Sequence, residues 1–185
     1  MAAAADDTAR LYGLPLDEFT AERDALAKRV RADGEREEAA RIKKLRKPSV
    51  PAWAINQAVR EDKRAAKALL KAGEGLANAQ AAMLSGAASA DLRKAMAAHG
   101  EAVDRMMAPV GDALGAGASA ANLDRARETL RAVAGDDELR GEFQAASIVR
   151  DSEPVGLGGT APAVLKPTPA RKRGASGSAA QHPPC

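Results

Sequence analysis

An all-α fold is predicted by three features of this 185-residue sequence. Alanine supplies 46 positions, and with Leu, Lys, Arg and Glu it gives a composition that favours helix. Leu, Ile, Val and Phe supply only 30 positions, and the four aromatic residues, Tyr12, Phe19, Trp53 and Phe143, are too few for the broad apolar interior of a sheet-based fold. Apolar residues also recur every three or four positions. The expected architecture is an elongated helical bundle or coiled-coil-like hairpin of about five helices over residues 1–150, with flexible joints near 33–34, 47–50, 85–88 and 115–119. Residues 151–185 are expected to form a disordered tail.

The first expected element lies within residues 16–46, where Leu16, Phe19, Leu26 and Val30, then Ala39, Ile42 and Leu45, keep helical spacing around a break at Asp33-Gly34. Two helices are expected, the first starting near Pro15 with Asp17 and Glu18 at the positive end of its dipole. Pro48 and Pro51 flank Ser49, a good N-cap, so one helix ends and another begins there. Beyond it Ile55, Val59, Ala66, Leu69 and Leu70 run toward Gly73 and Gly75, and Leu76, Met83 and Leu84 continue the stripe, as one long helix or two with a joint. Leu92, Met96, His99, Val103, Met106, Val110 and Ala113 alternate steps of four and three, the seam of a coiled coil or bundle, with Pro109 expected to interrupt or kink its last turns. Leu123, Ala126, Leu130 and Val133 mark another amphipathic helix, and Leu139 and Phe143 a short segment after Gly135. From about Ser152 the periodicity vanishes.

The start of the chain lacks the basic and apolar regions of a signal peptide, no run approaches the roughly 18 apolar residues of a membrane span, and the single cysteine is Cys185. A cytoplasmic location without membrane contact is expected.

Leu11-Tyr-Gly-Leu-Pro-Leu-Asp-Glu-Phe19, then Ala25-Leu-Ala-Lys28, then Leu45-Arg-Lys-Pro-Ser-Val-Pro-Ala-Trp-Ala-Ile-Asn-Gln57 carry a resemblance over residues 11–60. In these motifs the chain resembles a family of uncharacterised Ala-rich proteins of high-GC bacteria. Thr129-Leu-Arg-Ala132 and Arg150-Asp-Ser-Glu-Pro154 are similar to that family's last helix and ending. The resemblance implies a helical fold; the family has no established activity, so it implies no catalytic residue.

The inventory of chemical groups is poor. Two histidines, His99 and His182, and one cysteine form no metal-binding or nucleophile motif, so neither catalytic residue, metal nor cofactor is expected. Gly156-Leu-Gly158-Gly159-Thr-Ala161 mimics a dinucleotide fingerprint, but no strand precedes it and Pro162 follows. Adjacent carboxylates such as Glu37-Glu38 and Asp136-Asp137 diverge around a helix or sit at its ends.

Charge, by contrast, is segregated. Arg41, Lys43, Lys44, Arg46, Lys47, Arg60, Lys63, Arg64, Lys67 and Lys71 face only Glu61 and Asp62 within residues 39–71, a local charge of +8 in a chain of net +3. If the helices on either side of Pro48 pack through Ile42/Leu45 and Ile55/Val59, their other faces present one positive surface to a polyanion. Trp53, Asn56 and Gln57 share a helix face, either as a recognition surface or as an anchor, with Trp53 docking on Phe19 and Leu26 and the amides capping backbone groups. The preferred expectation is a non-enzymatic interaction or scaffold protein that contacts a protein partner or itself through Leu92, Met96, Val103 and Met106. The alternative is a sequence-nonspecific nucleic-acid-binding protein that uses the basic section.

Overall fold

A computed structural model describes residues 2–86 and 89–151, and among these every regular element is helical. Eight α-helices follow in order, α1 Ala2–Leu11, α2 Phe19–Ala32, α3 Arg36–Lys43, α4 Val50–Glu61, α5 Lys63–Leu84, α6 Ser89–Leu114, α7 Ala120–Ala132 and α8 Asp137–Gln144, with a 3-10 turn at Gly115–Gly117. The expected count of about five is therefore too low. The tail anticipated after position 151 lies outside the described residues.

Most breaks fall where local chemistry demands them. Gly34, at φ +93°, ends α2 in the left-handed conformation that a side chain disfavours, and the Glu35 N–H reaches back to the Val30 carbonyl at 3.1 Å. Ser49 caps α4 by accepting from the Ala52 N–H, and Ser119 and Asp136 cap α7 and α8 in the same way. One boundary differs from the sequence expectation and two that were left open are narrowed. α2 starts at Phe19, one turn later than Pro15, because residues 15–18 close a turn of their own in which the Glu18 N–H bonds the Pro15 carbonyl. The stripe from Ile55 to Leu84 breaks at Asp62, where the carboxylate accepts from the Arg64 and Ala65 N–H groups, and α5 then runs unbroken through Gly73 and Gly75. α6 continues through Pro109 to Leu114, forfeiting the proline's own helical hydrogen bond without ending.

Two apolar clusters organise these helices. The larger joins α4, α5, α6, α7 and α8 around Ile55, Leu69, Met106, Leu130, Phe143 and Ile148. Alanine makes this packing close: Ala52, Ala54 and Ala58 of α4 are fully buried, as is Ala126 of α7, and Gly73 of α5 lies so near Ala134 that an added Cβ would sit 3.3 Å from its backbone. The smaller cluster holds Tyr12 and Phe19, whose rings lie 5.3 Å apart, with Leu26, Val30 and Ile42. Ile42 thus packs with α2, whereas Ile55 and Val59 belong to the larger cluster. The anticipated pairing of the two helices around Pro48 is replaced by α3 on α2 and α4 on α6 and α7.

The segment 146–151 after α8 runs back along α4. The Ser49 N–H bonds the Val149 carbonyl, Asn56 pairs with Ile148, and Arg60 donates to the Ala146 carbonyl. Its entry is a Schellman turn in which Ala146 takes φ +50°, with the Ser147 N–H on the Glu142 carbonyl and the Ala146 N–H on that of Phe143.

Candidate binding surfaces

Trp53, Asn56 and Gln57 face inward. The Trp53 indole packs against the larger cluster and donates Nε1 to the Leu14 carbonyl at 2.8 Å. Asn56 is fully buried, and its amide both donates to the Ile148 carbonyl and accepts from the Ile148 N–H, each at 2.9 Å. Gln57 donates to the Tyr12 carbonyl. All three tie α4 to irregular backbone, and Asn56 satisfies two backbone groups that would otherwise be buried without partners. Trp53 anchors on a different cluster from the Phe19 and Leu26 surface anticipated for it.

The basic section is divided between surfaces. Arg41 is exposed beside Glu38, and Lys43 reaches Asp24 at 3.6 Å, where the Arg23 guanidinium, then Lys43, hold the carboxyl below its usual range. Lys43 and Lys44 border a groove of about 720 Å³ between α2 and α3, joined there by Lys28, Arg31 and Arg36. These last three fall before residue 39 and escape a charge count that starts there; Lys28 and Arg31, three apart on α2, were the readable signal. Lys44 and Arg46 border a second groove, and Lys47 and Arg64 are exposed.

Arg60, Lys63 and Lys67 line a third groove, of about 710 Å³, together with Arg10. Arg60 is half-buried and fastened by Nη1 to the Asn56 and Ala146 carbonyls and by Nη2 to that of Ala9; burial presses its guanidinium to release its proton more readily than usual.

The seam on α6 divides at His99. Val103, Met106 and Val110 are buried, whereas Leu92 is half-buried and Met96 is 54% exposed. Near the facing end of α5, Met83 and Leu84 are 44% and 87% exposed. His99 itself is buried with no hydrogen-bond partner for Nε2, and burial, then the Arg131 charge, push its pKa below the usual imidazole value.

Titratable groups converge in the second groove, of about 540 Å³, where Tyr12, Asp136, Glu138 and Glu142 meet Lys44, Arg46 and Arg150. Burial and then Glu138 and Asp136 raise the Glu142 carboxyl, against a Val149 backbone N–H that lowers it; burial and then Glu142 raise the Tyr12 hydroxyl. Sequence spacing gave no hint of this meeting, because its members come from four separate stretches. Among the described residues no three His, Cys, Asp or Glu side chains are placed to hold a metal ion, and no helix is long and apolar enough to cross a membrane. Comparison with protein-family models, curated proteins and solved structures finds no match.

Proposed function

We propose that this chain is a non-enzymatic helical interaction protein that associates with a second copy of itself through the outer end of the α5–α6 hairpin. One observation carries the reading: the seam of α6 runs past the part covered by neighbouring helices and leaves Leu92 and Met96, with Met83 and Leu84 of α5, unpacked or only partly packed. A four-three seam suits another helix of the same kind, and a two-fold axis brings each such patch onto its own copy. Exposed Asp91, Arg93 and Lys94 carry opposite signs within one turn, so that the same segments match when paired antiparallel. Two hairpin ends would then complete a four-helix bundle, with Val103 and Met106 holding the intramolecular half. A cytoplasmic setting and the absence of a cofactor go with this reading.

Light scattering across a hundredfold range of concentration tests it. The mass should rise toward two chains, and Leu84→Glu with Met96→Glu should return it to one with the helical circular dichroism unchanged. A wild-type mass fixed at one chain throughout overturns the proposal.

A second reading, polyanion binding, is favoured by the α2–α3 groove, whose five cations face one carboxylate, Asp24, already engaged by Arg23. Binding of this kind rests on phosphates and weakens steeply with salt. A gel shift near 50 mM salt that disappears with Lys28→Glu and Arg31→Glu supports it, and no retardation at that salt rejects it.

A further inference from the structure

We infer that the groove between α1, α4, α5 and the turn after α8 is a binding site for a single-chain anionic amphiphile, an alkyl chain ending in a carboxylate or a phosphate. The site is separate from the hairpin end and from the α2–α3 groove. Its charged lining is of one sign: Arg10, Arg60, Lys63 and Lys67 border it, and no aspartate or glutamate does among the described residues. Among the described residues none of the four has a carboxylate within ion-pairing distance. Four cations gathered over one concavity repel one another unless an anion joins them.

The floor is apolar. Val59, Ala66, Phe143 and Ala146 are buried beneath it and Leu70 is half-buried at its side. Its volume of about 710 Å³ falls within the ~300–1,000 Å³ common to small-molecule sites, whose walls are mainly hydrophobic with a few placed polar groups. The two halves of the lining call for a ligand with two halves. An alkyl chain covers the floor, and its head lies against Lys63 and Lys67, one turn apart on α5, with Arg10 opposite.

The wall is also held in place. Three backbone carbonyls fix the Arg60 guanidinium and supply no formal negative charge, so its cation stays available to the groove. Ala146 lines the same wall, and the Schellman turn that closes α8 fixes its backbone there. The chain's own residues 152–185 are an unsuitable occupant, since Lys166, Arg171, Lys172 and Arg173 outnumber Glu153.

Calorimetric titration of the full chain with dodecanoate and dodecyl phosphate, each below its micellar concentration, tests the assignment. Dodecyl maltoside and dodecyltrimethylammonium serve as uncharged and cationic controls. At least one anion should bind saturably, one per chain, and shift the amide resonances of Val59, Ala66, Phe143 and Ala146. Binding by the carboxylate alone or the phosphate alone identifies the head group. The uncharged chain should bind about tenfold more weakly, and Lys63→Glu with Lys67→Glu, both at exposed positions, should cost the anion about tenfold while sparing the uncharged chain. The absence of saturable binding by either anion overturns the inference. So does equal binding of the cationic control, or anion binding indifferent to the charge reversal in a variant of unchanged helicity.

Discussion

Asn56 engages both halves of its amide with a single residue, and the geometry leaves the Ile148 N–H and carbonyl no other partner in that buried place. Asn56→Ala should therefore lower the unfolding free energy by about 2–4 kcal/mol, read from urea denaturation, since two backbone groups lose their partners without gaining water. An unchanged midpoint would mean that water reaches them. His99 predicts a pH dependence. Its folded pKa lies below the ordinary 6.5, so the unfolded chain binds the proton first, and stability that is complete above about pH 6.5 is lost as the pH falls toward the folded value. His99→Leu should flatten that part of the profile in urea titrations between pH 7 and 5. Glu142 works in the opposite sense, because its folded pKa is raised: the stability it contributes below its ordinary pKa of 4.5 is lost as the pH rises through the folded value, so Glu142→Gln should raise the urea midpoint at pH 7. At this scale the sequence revealed that Trp53, Asn56 and Gln57 belong together. It did not reveal what they meet, because Leu14, Tyr12 and Ile148 offer backbone atoms that every residue carries.

Between helices, the boundaries read from the sequence are Gly34, as a break, and Ser49, as a cap; Ser119 and Asp136 cap α7 and α8 as well, but lay in a stretch expected to be a flexible joint and in an acidic pair. Asp62 was hidden. It lies in a stripe whose apolar spacing passes undisturbed from Ile55 to Leu70, and the sequence drew attention instead to Gly73 and Gly75, which α5 absorbs. Asp62→Ala should cost about 1 kcal/mol in chemical denaturation, the usual worth of a lost N-cap. The two glycines should part company. Gly75 has open space where a Cβ would sit, so Gly75→Ala should stabilise by about 0.5–1 kcal/mol. Gly73→Ala should gain less or lose, since its methyl meets the Ala134 backbone; equal gains at both sites would show that α5 and the turn after α7 separate freely.

At the scale of the molecule, composition and periodicity announced helices without announcing which would pack together. Ile42, Leu45, Ile55 and Val59 are alike enough in size and spacing that any pair of their helices could mate, and α3 packs on α2, to which the short turn at Gly34 joins it and whose Phe19, Leu26 and Val30 share a cluster with Ile42. The basic section is parted for that reason, into grooves no single linear stretch outlines. The return of residues 146–151 along α4 has its own consequence for how the protein is made. A ribosome releases α4 long before it releases Ile148 and Val149, so during synthesis the helix at the centre of the larger cluster stands with its amide and its entry unmatched. Nearly a hundred further residues must emerge before the last strap closes over it, and a nascent polypeptide halted at Ala145 would hold most of its helices yet lack the clasp that fastens them.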